Sequence, residues 1–153
     1  YVFREGRVDR ARLEEIARSV TPARLVLDLS CRKRDGRYLV VTDRWQRFTD
    51  TEVSGDTLRA LAPFAAEFLV HAVDVEGKQQ GVDLELVALL ADASPLPVTY
   101  AGGARSLEDM EAVWRAGRGR VDLTIGSALD LFGGPLSYRQ AVELDRRLRG
   151  AHA

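Results

Sequence analysis

Helical and extended segments alternate along this chain, and that alternation limits the possible folds more than any other feature. Leu13, Ile16, Ala17 and Val20 recur at helical spacing over Asp9 to Val20, with Asp9 as N-cap and Pro22 as the stop. Arg24 to Ser30 is a short apolar run interrupted by one carboxylate, the pattern of a buried parallel strand. A polar stretch, Cys31 to Gln46, follows, with a small β-excursion at Tyr38 to Val41. Thr57 to Ala66 reads as helix, Glu67 to Val73 as strand, Asp83 to Leu90 as helix and Val98 to Ala101 as strand. Ser106 to Ala116 is a helix capped by Ser106, with Asp109 at the capping-box position. Val121 to Gly126 is a strand, and Ser137 to Arg149 an amphipathic helix with Ala141, Leu144 and Leu148 on one face.

One helix followed by four βα units predicts an α/β fold, a parallel sheet covered by helices. No Pro/Ser-rich linker interrupts the order, so residues 1–153 read as a single domain. That length falls short of the roughly 250 residues of a complete eight-stranded α/β barrel. The opening Tyr-Val-Phe-Arg-Glu-Gly reads like the exit from a strand whose beginning is absent, so the true N-terminus is expected elsewhere.

Composition narrows the function classes. With 46% hydrophobic and 29% charged residues the chain suits a packed core and not a disordered, collagenous or coiled-coil chain. No apolar run reaches the roughly 18 residues of a membrane-spanning helix, so no membrane association is expected. The net charge of -1 gives no global electrostatic argument for nucleic acid. A single cysteine, Cys31, excludes a disulfide framework and a cysteine-ligated zinc site. All but Lys33 and Lys78 of the 22 basic residues are Arg, but they are scattered over every segment. A compositional bias of the source genome explains them better than a set of phosphate forks.

In parallel sheets, function collects at the C-terminal ends of strands. Here the four strands end in Asp28-Leu-Ser-Cys-Arg, His71-Ala-Val-Asp-Val-Glu-Gly, Tyr100-Ala-Gly-Gly-Ala-Arg-Ser and Ile125-Gly-Ser-Ala. A carboxylate between Leu27 and Leu29 is costly unless it faces a polar cavity or a partner. Asp28 is therefore either a general acid or base with a pKa tuned by burial, or a structural Asp paired with Arg or capping a loop. Gly102-Gly103 ahead of a Ser106-capped helix, and Gly126-Ser127, offer backbone N–H groups to an anion. A lone Gly-Gly is usually a turn, but the pair on the last two strands fits the phosphate site of α/β barrels. His71 is either a core histidine or, with Asp74 and Glu76, part of a substrate-facing mouth. These three lie too close along one segment to converge on a metal without further ligands, and no metal is expected. Trp45, in the polar stretch, either anchors its loop or offers a stacking surface to a planar ligand. Trp114, mid-helix, reads as packing.

The runs Leu25-Val-Leu-Asp-Leu-Ser-Cys-Arg-Lys, Val41-Thr-Asp-Arg-Trp-Gln and Phe68-Leu-Val-His-Ala-Val-Asp-Val-Glu-Gly-Lys occur in that order. Val98-Thr-Tyr-Ala-Gly-Gly and Val121-Asp-Leu-Thr-Ile-Gly-Ser-Ala-Leu-Asp follow them. Together these five motifs resemble the phosphoribosylformimino-5-aminoimidazole carboxamide ribotide isomerase family of histidine biosynthesis, in the version found in fungi, plants and algae. The resemblance implies a (βα)8 TIM barrel, of which this chain looks like the C-terminal half, units five to eight. It implies an Amadori rearrangement of an aminoaldose to an aminoketose, with no metal or organic cofactor, on a ribotide carrying two phosphates. It implies general-acid duty for Asp28, a second acid at Glu76, and phosphate binding at Gly102, Gly103, Gly126 and Ser127. Substrate contacts are implied for Trp45, Arg44 and His71. The family's strand-one Asp has no counterpart in this chain. Two alternatives share the architecture: a non-catalytic phosphosugar-binding half barrel that self-associates, and the related cyclase that uses ammonia. The expected partners are the substrate and either an N-terminal half barrel or a second copy. The expected compartment is the cytoplasm, with the plastid stroma as alternative.

Overall fold

Short strands with strict side-chain alternation decide which face of this molecule is packed. The computed structural model describes residues 2–4, 6–75 and 81–150. A small ladder pairs β1 (Phe3–Arg4) with β2 (Arg7–Val8). Helix α1 (Arg10–Val20) follows, and Asp9 accepts from the Arg12 backbone N–H at 3.1 Å. Thr21, with φ 69°, and Pro22 end it. Next come β3 (Val26–Asp28), β4 (Cys31–Arg34), β5 (Arg37–Thr42) and β6 (Arg47–Glu52). The remainder is α2 (Gly55–Leu61), β7 (Glu67–His71), α3 (Leu84–Ala93), β8 (Val98–Ala101), α4 (Leu107–Ala116), β9 (Val121–Thr124) and α5 (Tyr138–Gly150). Ser54, Asp83 and Ser106 cap α2, α3 and α4 through their side chains, each cap contributing about 1 kcal/mol.

The main sheet is parallel, in the order β3-β7-β8-β9. The α/β fold with a parallel sheet and helices is thus present. Register aligns Leu27 with Phe68, Val98 and Val121, and these side chains enter one core with Leu13, Leu58, Leu86, Leu90 and Val113 of the helices. The alternate positions face the other way. Val26 is 49% exposed there, and among Asp28, Glu67, Leu69, His71, Thr99, Ala101, Asp122 and Thr124 only Ala101 is buried. One face of the sheet is therefore covered by helices and the opposite face is not.

Three expectations need correction. The polar stretch Cys31 to Gln46 is no loop with a small excursion. It belongs to an antiparallel meander, β4-β5-β6, running to Glu52, with Tyr38, Val40 and Val41 buried. The charged residues of β4 and β6 (Arg32, Lys33, Arg34, Arg47, Asp50) hide its outer strands, and only the buried run Tyr38 to Val41 reads as strand. Asp28 is exposed, not buried: Leu27 and Leu29 point into the core, and a period of two turns the residue between them outward. Asp109 does not close a capping box on Ser106; its carboxylate accepts from the Arg105 backbone N–H at 3.1 Å.

Candidate active site

Two clefts open at the C-terminal ends of the parallel strands. The first, about 610 Å³, is bounded by Gly102, Gly103, Gly126 and Ser127, so both glycine motifs meet in one space. Arg105 and the loop Gly133-Gly134-Pro135 complete its rim. Gly103 has φ +75°, and a Cβ there would lie 2.1 Å from the Gly81 carbonyl oxygen. A Cβ on Gly102 would lie 2.8 Å from the Ala72 carbonyl oxygen. Side chains are excluded from this turn because the ends of neighbouring segments press against it. Gly126 is different: a Cβ there would meet nothing within 4 Å, so its backbone faces open cleft. Ser106, at the start of α4, also lines the cleft and brings a helix N-terminus to it.

The second cleft, about 400 Å³, brings together Asp28, Ser30, Arg44 and Trp45. Asp28 ends β3, and Ser30 Oγ donates to its Oδ1 at 3.0 Å. Arg44 and Trp45 lie in the tight turn between β5 and β6, where Asp43, Arg44 and Trp45 have φ of 53°, 57° and 69°. Trp45 remains 39% exposed, and its ring stands 5.0 Å from that of His71 with the planes inclined at 61°. His71 ends β7, the strand between β3 and β8. The fold thus gathers Asp28, Arg44 and Trp45 at one mouth, with His71 against the indole, and the four glycine-motif residues at the other. Glu76 lies outside the described residues.

Asp74, read with the mouth, holds the meander instead. Its carboxylate accepts from Arg32 Nε at 2.9 Å and from the Lys33 backbone N–H at 2.8 Å. A second anchor lies behind it: the Tyr38 hydroxyl donates to the Asp83 carboxylate, and the Tyr100 hydroxyl accepts from the Asp83 backbone N–H at 2.8 Å. Cys31 sits between these groups, fully enclosed. Burial, reinforced by the charges of Asp83, Asp74 and Asp28, pushes its thiol up to about 12. Burial and the Asp83 hydrogen bond likewise push the Tyr38 phenol above its ordinary value. Neither group ionises near neutrality, so both serve the packing of the mouth. Sequence reasoning missed Tyr38, Asp83 and the Gly133-Gly134 turn. Only the last carried a readable signal, a Gly-Gly pair like that at 102–103.

Among the described residues no group of three or more His, Cys, Asp or Glu could hold a metal, and no helix is long and apolar enough to cross a membrane. A family model described as "Histidine biosynthesis protein" matches residues 8–134. The chain belongs to this family. A Medicago truncatula protein named 1-(5-phosphoribosyl)-5-((5-phosphoribosylamino)methylideneamino) imidazole-4-carboxamide isomerase, chloroplastic, is 56% identical over 93% of this chain and 46% of its own length. Isomerases of the same name from Neurospora crassa and Saccharomyces cerevisiae are each 46% identical, over 96% and 87% of this chain and 59% and 53% of their own lengths. The chain spans about half the length of the curated relatives it matches. The resemblance read from the five motifs is thus a true family relationship, and the histidine biosynthesis match takes in Asp28, Ser30, Arg44 and Trp45 of one cleft and the four glycine-motif residues of the other.

Proposed function

We propose that this chain supplies the C-terminal half of a (βα)8 barrel that isomerises a bisphosphorylated ribotide from an aminoaldose to an aminoketose, a reading supported by relatives named as phosphoribosyl imidazole-carboxamide isomerases. The observation that carries this reading is the meeting of Asp28, Arg44 and Trp45 in one cleft at the strand ends. In the rearrangement an acid protonates the ribose ring oxygen as the C1–O bond breaks and the nitrogen lone pair forms the C=N bond. A base then removes the C2 proton, and the enaminol relaxes to the ketose with no net redox change. Asp28, exposed and held by Ser30, is the acid; Trp45 and Arg44 receive the imidazole carboxamide. One phosphate lies against Gly102, Gly103, Gly126 and Ser127, where backbone N–H groups and the start of α4 favour an anion. Glu76 remains a second acid, and the base belongs to strand one of the barrel. The uncovered face of the parallel sheet supports the half-barrel reading, since the interior of a barrel needs the other half to close it. The reading takes residues 1–153 as a single unit, with the substrate and the other half barrel as partners. The Medicago relative's name supports a plastid over the cytoplasm.

The test is kcat of the longer enzyme carrying this chain. Asp28→Asn lowers it by about 10²–10⁴-fold with the fold intact by circular dichroism, and unchanged turnover removes Asp28 from the chemistry. A second reading, a self-associating phosphosugar-binding module, draws on half-exposed Val26 and the open edges of β3 and β9. It predicts that the 153-residue chain sediments as a dimer, binds the ribotide and turns none over; turnover by the chain excludes it.

A further inference from the structure

We propose that His71 is the positioning residue for Trp45, holding the indole in the pose that faces the Asp28 cleft. Its own place is firmly set. β7 is paired on both sides, His71 is in register with Ala101, and the next residue donates from Ala72 N–H to the Ala101 carbonyl at 2.8 Å. Trp45 has weaker support: it sits in a turn closed by the long Gln46 N–H to Asp43 carbonyl bond of 3.3 Å. It closes a run of three non-glycine residues with left-handed φ, a conformation L-residues enter only at a cost. It is also too exposed for burial alone to fix its ring. The inclined contact at 5.0 Å is the favoured geometry of an aromatic pair, and it leaves indole surface open to the cleft. His71 therefore acts on the ligand through Trp45 and not by its own ring nitrogens. The ligand is the planar carboxamide of the isomerase reading, on which this role rests; the ring contact itself can be measured without it.

Acrylamide quenching of Trp45 emission tests the contact in the ligand-free chain, with Trp114→Phe removing the other tryptophan. His71→Ala is expected to raise the quenching constant at least twofold, and His71→Phe, which keeps an aromatic ring there, to restore it to near the parent value. An unchanged constant in His71→Ala overturns the proposal, with circular dichroism confirming the fold of each variant. In the longer enzyme, His71→Ala is expected to raise KM for the ribotide several-fold more than it lowers kcat, and His71→Phe to recover most of that loss. Equal damage by both substitutions overturns the proposal in favour of direct ligand contact by the imidazole. If the quenching results hold while neither parent nor variants turn over the ribotide, the isomerase reading falls and the positioning of Trp45 stands.

Discussion

The Tyr38 hydroxyl lies 2.9 Å from each oxygen of the Asp83 carboxylate, joining the meander to the first turn of α3. The same carboxylate accepts from the Leu86 backbone N–H at 3.1 Å. Tyr38→Phe removes the hydroxyl and leaves a half-buried carboxylate short of a donor. Stability should fall by about 1–2 kcal/mol, read as a lower urea midpoint at unchanged slope.

Alkaline pH should unfold this protein in a defined window. In the folded state the Cys31 thiol is pushed from 9.0 up to about 12, and the Tyr38 phenol is raised above its ordinary 10.0. Groups raised on folding stabilise while protonated in both states, so their contribution is complete below about pH 9. It shrinks as the unfolded chain ionises and is lost as pH rises through the folded value. The urea midpoint should be flat from pH 7 to about 9 and fall beyond it, with a shallower fall in Cys31→Ala. Iodoacetamide should label Cys31 at the rate of unfolding, since the enclosed thiol offers little thiolate.

The two glycine motifs should respond differently to one methyl group. Gly103→Ala forces a Cβ against the Gly81 carbonyl at positive φ and should cost more than about 2 kcal/mol. Gly126→Ala meets open space and should leave the melting temperature nearly unchanged. If the first cleft holds a phosphate, Gly126→Ala should weaken inorganic phosphate binding by calorimetry several-fold without loss of fold.

Asp74 should matter more for local order than for global stability. Its pair with Arg32 is about one-third exposed on each side, which limits its worth to about 1 kcal/mol. Asp74→Asn weakens one hydrogen bond to the side chain and one to the Lys33 backbone together. Hydrogen exchange should accelerate across residues 31–52 while the α3 and β8 amides stay protected.

The strand ends were legible because polar residues closing apolar runs announce them, and β8 and α4 sit where spacing and the Ser106 cap put them. The glycine motifs converged as read. What failed was face assignment in short runs: Asp28 looked buried because its neighbours are leucines, although alternation sends it the other way. The meander was obscured by the charged residues of its outer strands, whose buried partners Tyr38, Val40 and Val41 alone resemble an isolated strand. The Trp45–His71 contact was out of reach, since it joins the tip of one sheet to the end of another strand and depends on a turn of three left-handed residues that no composition announces.

The meander's anchors and its working end lie at opposite ends of one ribbon. Asp74 and Asp83 grip it at Arg32, Lys33 and Tyr38, while Arg44 and Trp45 ride on the far turn. From the Tyr38 grip to Thr42 at the end of β5 the arm is about 13 Å at roughly 3.3 Å per residue, so a tilt of about 5° at the base sweeps the far turn through roughly 1 Å. A small rearrangement at two carboxylates becomes a displacement the size of a hydrogen bond's tolerance at the mouth, so the stiffness of that base and the His71 contact at the tip together set how sharply the site is defined.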